Sequence, residues 1–308
     1  MALSPYERSD MIVGFIGLGT MGAPMARNLL NNGHRLIVAD IQPAAVAALI
    51  AAGATMAATP KDAAARSEIV ITMLPDAPDV ERVALGPDGI IAGIRQGTIY
   101  IDMSTIDPGT TRKVGAAIAA KGAAMIDCPV GKTADAAVAG TLTLMVGGSA
   151  DIVARCRTVL DCMGTDFFHC GELGAGQTMK LINNLLATAV SEASIEALVA
   201  GVKSGLTLQT MMSVFRTTMA WNNALAIALP KRPLAGDFSP GFMMKLAHKD
   251  CRLALQMVET LDIAAPVGRA ALASLEEGLQ RGLQDDDVGA LLKLREEAAG
   301  VVVRLTKE

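Results

Sequence analysis

Residues 12–30 read "IVGFIGLGTMGAPMARNLL": a β-branched apolar run, glycines at 17, 19 and 22, and then a helical pattern. A chain that leaves a strand and enters a helix this abruptly has few options. The first glycine permits the tight turn. The second leaves bare backbone where another group can approach closely, and the third lets the helix pack on the strand. The helix that follows presents unpaired N–H groups and the positive end of its dipole, a setting suited to phosphate. In this strand–turn–helix context the G-x-G-x-x-G spacing points to a dinucleotide, cradled by Gly17, Gly19, Thr20, Met21 and Gly22. The next apolar run, "RLIVAD", ends in Asp40. A carboxylate about 20 residues beyond the glycines hydrogen-bonds adenosine ribose hydroxyls and repels a 2′-phosphate. No arginine follows in "DIQPAA", so NAD(H) is expected in preference to NADP.

The first half continues in the same rhythm. "IVGFIG", "RLIVAD", "EIVITML", "TIYID", "AAMID" and "LTLMVGG" read as strands, separated by helical stretches. This alternation predicts an α/β Rossmann domain with a doubly wound, mostly parallel sheet. Gly33, Gly53 and Gly122 stand just past helical runs, where C-terminal caps favour glycine. Ligands of such sheets bind outside the carboxyl ends of the strands. Met73, Leu74 and Pro75 in "ITMLPD" are therefore expected to line the dinucleotide, with Ser104 or Thr105 in "IDMSTIDPG" near the nicotinamide ribose. The Ser104–Thr105 pair also suits capping of a helix that begins near Pro108, and the two roles are compatible.

The pattern changes near residue 170 and is helical from there on, with breaks at Gly205, around Pro230–Pro240 and at Pro266. We expect a cofactor domain over 11–170 and an all-α domain over 171–308, with a long helix at about 176–203 and an active site in the cleft between the domains. The chain has 308 residues, enough for two buried cores. A net charge of −4 gives no basic footprint for nucleic acid. Mean hydropathy is +0.39, but asparagine and serine interrupt the most apolar segments, such as 181–190, so no uninterrupted run of membrane-span length is expected. The opening "MALSPYERSD" lacks the apolar core of a signal peptide. Five cysteines form no C-x-x-C pair, and three histidines show no zinc-ligand spacing. A reduced, cytoplasmic protein without a structural metal is the expectation.

"GQTMKLINNLLATAVSEASIEALV" is unusual as a helix. Leu181, Ile182, Leu185, Leu186, Ala189 and Val190 form an apolar stripe. Lys180, Asn183, Asn184, Ala187, Thr188 and Ser191 form the other face, on which Lys180 is the one charge. A solvated face would carry more charge, so burial on most sides is expected, and a buried lysine needs a partner or a task. Burial brings lysine's titration toward working pH, which suits a proton donor and acceptor. Asn184, one turn on, can hold the ammonium or a substrate oxygen. Neither Tyr6 nor Tyr100 has a lysine four residues later, which excludes the tyrosine–lysine catalytic pair.

"FIGLGTMGAPMARNL", "IDMSTIDP", "DCPVGKTADAAVAGTLTLMVGG", "GAGQTMKLINN" and "FMMKLAHKDCRLAL" occur in this order. Over residues 11–300 the chain resembles the β-hydroxyacid dehydrogenases, typified by 3-hydroxyisobutyrate dehydrogenase. The resemblance implies a Rossmann domain joined to a helical domain that mediates a homodimer or homotetramer. It also implies Lys180 as catalytic acid/base with Asn184 beside it, and Lys249 and Asp250 closing over cofactor and substrate. Read alone, Lys249–Asp250 is equally an exposed helical pair.

One departure stands out. Where the family carries Ser-Gly-Gly after D-x-P-V, this chain has Gly131, Lys132 and Thr133. That is similar to the branch typified by 3-sulfolactaldehyde reductase, in which an arginine at the position of Lys132 binds the sulfonate. The resemblance thus implies a substrate set of Gly131, Lys132, Thr133, Asn183, Asn184 and Ala187. The implied reaction is reduction of 3-sulfolactaldehyde to 2,3-dihydroxypropane-1-sulfonate with NADH. Lysine lacks arginine's bidentate fork and serves a carboxylate equally, so succinic or tartronic semialdehyde reduction and 3-hydroxyisobutyrate oxidation are alternatives. Imine reductases and non-catalytic NAD-dependent readers are more distant, and Lys180 argues against both.

Overall fold

The computed structural model describes residues 10–305; the polar lead at residues 1–9 lies outside the described residues. Through the first half the elements are β1 (Ile12–Ile16), α1 (Gly22–Asn31), β2 (Arg35–Ala39), α2 (Pro43–Ile50), β3 (Thr55–Met56) and α3 (Pro60–Arg66). Next come β4 (Ile69–Thr72), α4 (Ala77–Leu85), α5 (Ile90–Gly93), β5 (Ile99–Asp102), α6 (Pro108–Ala119) and β6 (Ala124–Asp127). They are followed by β7 (Val130–Gly131), α7 (Ala134–Ala139), β8 (Leu142–Gly147), α8 (Ala150–Leu160), β9 (Gly164–Gly171) and α9 (Ala175–Lys203).

The strand order is β3-β2-β1-β4-β5-β6-β8-β7, with β9 against β8. Strands β1 to β6 run parallel. Strand β8 is antiparallel to β6 and β7, and β9 is parallel to β8. The chain reverses its winding direction at β1/β4, the switch point at which such sheets open a crevice. Alternate residues feed two cores. Phe15, Ile71 and Ile101 pack on one face with Met25 and Leu29 of α1 and Val159 of α8. Ile16, Val70 and Tyr100 pack on the other with Ala63 of α3 and Val114 and Ile118 of α6. Each fully buried residue of this size contributes roughly 1.5–3 kcal/mol. The six expected strands are all present. Two-residue β3 and β7, and β9 with its "DFFHC", are additional.

Gly33, Gly53 and Gly122 do adopt left-handed backbone (φ 88°, 107° and 73°), as the cap argument required. The cap of α6 differs from the expectation. Asp107 occupies the position, its Oδ1 accepting the Thr110 N–H at 2.8 Å, so Ser104 and Thr105 do not cap that helix.

The chain separates into two compact units between Lys180 and Leu181. The second contains the remainder of α9, then α10 (Leu208–Phe215), α11 (Leu229–Lys231), α12 (Met244–Glu259), α13 (Pro266–Gln280) and α14 (Leu291–Ala299). Its core joins Ile195, Leu198 and Val199 to Met211, Met212, Met244, Cys251, Leu275 and Leu291.

Helix α9 corrects one sequence expectation. It is not buried on most sides, because Ile182 and Leu186 of the apolar stripe are 48% and 64% exposed, and Met179 is 42% exposed. The buried line is the polar one: Gln177, Lys180, Asn184, Thr188 and Glu192, with Leu181 beside it. Glu192 completes that line by accepting from Arg295 Nε at 2.8 Å. By length and composition α9 is also long and apolar enough to cross a membrane, with mean hydropathy 1.5 over its most apolar window.

Candidate active site

The three fingerprint glycines have three different surroundings. Gly17 has φ +94°, and a Cβ there would lie 2.3 Å from the Met73 carbonyl oxygen. At Gly22 a Cβ would lie 1.9 Å from the Gly17 carbonyl oxygen and 3.2 Å from Phe15. Gly19, by contrast, has no atom within 4 Å of that position. The first and third glycines therefore close the turn, while the second borders open space at the N-terminus of α1. Thr20 is exposed and Met21 half-buried at the same rim. The cradle fits a dinucleotide pyrophosphate, which needs bare backbone at the second position and packed backbone at the others.

Asp40 follows β2 and faces this loop. Its Oδ2 accepts the Leu18 N–H at 2.5 Å and its Oδ1 the Gln42 N–H at 2.7 Å. Each carboxylate oxygen keeps acceptor capacity for a hydroxyl. Met73 and Leu74 are half-buried and Pro75 exposed at the carboxyl end of β4. Ser104 is buried, and its Oγ accepts the Leu74 N–H at 2.9 Å. It braces the lining segment rather than facing open space, and leaves the half-buried Thr105 as the more accessible of the two.

Beyond the carboxyl edge of β6 lies the 131–133 turn. Gly131 is buried in β7, and a Cβ there would come within 3.1 Å of Thr143 and 3.3 Å of Met145. That crowding gives a local reason for a bare backbone at this position. Lys132 has φ +75°, a left-handed backbone that glycine adopts more readily. Its Nζ donates to the Thr141 carbonyl at 2.6 Å and to Asp166 Oδ2 of β9 at 2.7 Å. The lysine side chain is 42% exposed, and its ammonium holds the Asp166 carboxyl below the usual range. Thr133 is exposed at the start of α7.

Lys180 is 9% exposed on the buried line of α9. In the helical unit Asn184, also buried, donates from Nδ2 to Asp250 Oδ2 at 2.6 Å and accepts from Asn183 Nδ2 at 3.0 Å. An ionised carboxylate only accepts, so Asp250 fixes which edge of the Asn184 amide faces it. Lys249 Nζ stands 3.2 Å from Asp250 Oδ1, both side chains being largely buried. The pair is thus an interior one, and the exposed-pair reading falls. Asn183 and Ala187 are exposed on the neighbouring face.

Sequence reasoning missed the Asp250–Asn184 bond, the Ser104 brace and the Lys132–Asp166 pair. Each joins residues 30 to 66 positions apart, and none leaves a local motif.

Comparison with known proteins agrees with this layout. Residues 12–171 match the family model described as the NAD binding domain of 6-phosphogluconate dehydrogenase. Residues 174–295 match that described as NAD-binding of NADP-dependent 3-hydroxyisobutyrate dehydrogenase. A 2-(hydroxymethyl)glutarate dehydrogenase of Eubacterium barkeri is 39% identical, over 94% of this chain and 97% of its own length. A 3-sulfolactaldehyde reductase of Escherichia coli is also 39% identical, over 95% and 98%. The solved 3-hydroxyisobutyrate dehydrogenase of Mycobacterium tuberculosis with L-serine superposes with a TM-score of 0.87 at 33% identity, over 92% of this chain and 99% of that one. With both halves matched and relatives aligned nearly end to end, the chain belongs to the β-hydroxyacid dehydrogenases of the 3-hydroxyisobutyrate dehydrogenase type, oxidoreductases with an NAD(P)-binding domain.

Proposed function

We propose that the protein reduces a short aldehyde bearing an anionic end, using NADH, with 3-sulfolactaldehyde the first substrate to test. The carrying observation is the inverted helix α9, which buries Lys180 and, one turn later, an Asn184 whose amide is fixed by Asp250. A buried cation in a helix with so little charge is matched to an oxygen that gains negative charge during reaction. Lys180 gives that oxygen its proton in reduction and takes it back in oxidation. The bound nicotinamide supplies or accepts the hydride. Asp40 holds the adenosine ribose hydroxyls and its charge repels a 2′-phosphate, which supports NADH over NADPH. Within the helical unit Asp250 keeps its bond to Asn184, with Lys249 beside it.

The anionic end of the substrate sits at the 131–133 turn. Its bare Gly131 backbone, the Lys132 charge and the Thr133 hydroxyl are the polar groups there. Because Lys132 is engaged with Asp166, an incoming anion shares or exchanges that partner. The two charges then trade a solvated acceptor for the substrate at small net cost. The 39%-identical relatives act on a sulfonated aldehyde and on a hydroxymethyl dicarboxylate by name, and carboxylate semialdehydes are therefore the competing substrates. The exposed Met179, Ile182 and Leu186 support assembly with a second copy.

A panel decides the reading: sulfolactaldehyde, succinic and tartronic semialdehydes and 3-hydroxyisobutyrate, each with both nicotinamide cofactors. The highest kcat/KM is expected with sulfolactaldehyde and NADH. A carboxylate substrate ahead by tenfold or more, on the order of 1.4 kcal/mol, overturns the sulfonate assignment. No turnover with any of them overturns the whole reading.

A further inference from the structure

The first turn of α9 has no acidic residue of its own, yet a carboxylate caps it. Asp127, the last residue of β6, is completely buried. Its Oδ1 accepts the Gly174 N–H at 2.6 Å and its Oδ2 the Gln177 N–H at 2.7 Å. These belong to the N–H groups that a helix start leaves without intrahelical partners. A local serine, threonine or aspartate could cap equally well. A carboxylate 47 and 50 residues earlier does what a local cap cannot: it fastens the helix to the sheet.

The backbone is shaped around that carboxylate. A Cβ on Gly147 would stand 2.4 Å from Asp127 Oδ1. One on Gly176 would stand 2.3 Å from the Met145 carbonyl and 2.8 Å from Asp127 Oδ2. Gln177 extends the connection, donating from Nε2 to the Ser104 carbonyl at 2.8 Å and accepting the Ile106 N–H at 3.1 Å. Ser104 in turn holds the Leu74 N–H. The segments after β4 and β5, the end of β6 and the start of α9 thus form one hydrogen-bonded assembly. Lys180 lies three residues past Gln177, about 4.5 Å of helical rise.

We propose that Asp127 is a positioning residue for the reaction: it sets where the Lys180 amine stands relative to the segments that line the cofactor. The inference rests on Lys180 being the acid/base. Burial, reinforced by the charge of Asp102 on β5, pushes the Asp127 carboxyl up to about 6 against its two N–H donors. Cys128, next in the chain, and Cys170 of β9 are within its field. Arg112 of α6 adjoins Gly174. When Asp127 gains a proton, one oxygen becomes a donor turned toward an N–H. One of the two bonds to the helix is then lost.

The test is Asp127→Asn in the full chain, with melting followed by circular dichroism and NADH affinity by fluorescence titration. Expected is a fall in kcat of about tenfold to 100-fold, the scale of a small misplacement of a catalytic group. KM and the NADH Kd stay within about threefold, and an acid limb of kcat near pH 6 in the wild type is absent from the variant. Unchanged kcat, an acid limb persisting in the variant, or parallel loss of kcat, KM and NADH binding each overturns the inference. If Asp127→Asn does not fold, the wild-type profile decides: an acid limb near pH 6 supports the inference, and kcat flat from about pH 5 to 7.5 overturns it. Lys180→Ala is assayed alongside. If it turns over normally, the acid/base reading fails. If it is inactive while Asp127→Asn is normal, only the positioning inference fails.

Discussion

Lys180 and Lys132 are each the one cation in a segment of small and apolar residues, and the molecule holds them in opposite ways. Lys180 sits in regular helix, buried, its location inherited from backbone hydrogen bonds at the start of α9. Lys132 sits in left-handed backbone on a turn, half exposed, its location maintained by its own ammonium on Thr141 and Asp166. The first arrangement gives precision, because a helix anchored at one end moves as a rigid unit. The second gives a charge that can change partners. Precision suits proton transfer, and exchangeability suits recognition of an anion.

Replacing each lysine with alanine should separate the two roles most sharply. Lys180→Ala is expected to lower kcat by about 10²- to 10⁴-fold with NADH binding retained, measured by steady-state kinetics and fluorescence titration. Lys132→Ala should instead raise KM for anionic aldehydes, about tenfold, with much less effect on an uncharged aldehyde. Equal effects on both substrates would remove Lys132 from recognition. The hold on Asn184 comes next in size. Asp250→Ala, which frees the amide to rotate, should lower kcat about tenfold with melting shifted by only a few degrees.

A smaller effect probes the backbone. Lys132→Gly relieves a left-handed conformation that costs other residues about 1 kcal/mol and loses an exposed ion pair worth about as much or less. Its melting temperature should therefore lie within about 3 °C of the wild type and above that of Lys132→Ala.

A separate effect is the pH dependence of stability. Asp127 has a folded-state pKa raised from 3.8 to about 6. Its stabilising contribution is present below about 3.8 and is lost as pH rises through 6. Asp127→Asn, measured by denaturant titration, should therefore gain relative to the wild type between pH 4 and 7, by at most about 1.4 kcal/mol per pH unit. A difference independent of pH would show that the carboxyl does not titrate there.

What could be read from the chain divides along the range of the interactions. The glycine loop, Asp40 and the alternating strands depend on neighbours within a few residues, and local chemistry was enough to find them. Periodicity also found the two faces of α9. How deeply each face is buried depends on what the rest of the chain brings to it, such as Asp250 for Asn184 and Arg295 for Glu192, and so burial on most sides was expected where the apolar stripe is partly exposed. Strand β9 was missed because "GTDFFHCG" mixes polar residues into a run at the margin of the sheet, where one flank of the strand is unpaired. The cap of α6 fell to Asp107 because it immediately precedes Pro108, while Ser104 was drawn to Leu74.

The left-handed backbone at Lys132 has a consequence for how such an enzyme changes over time. Its side chain stands outside the apolar clusters of the unit and its φ is one that glycine accepts without strain. A single codon change can therefore install or delete the cation with little disturbance to the fold. Lys180 has no such freedom, being built into a helix whose start is locked to the sheet. On the proposed roles, chemistry and specificity are inherited on separate terms: the first is fixed by architecture, while the second stays open to revision one residue at a time.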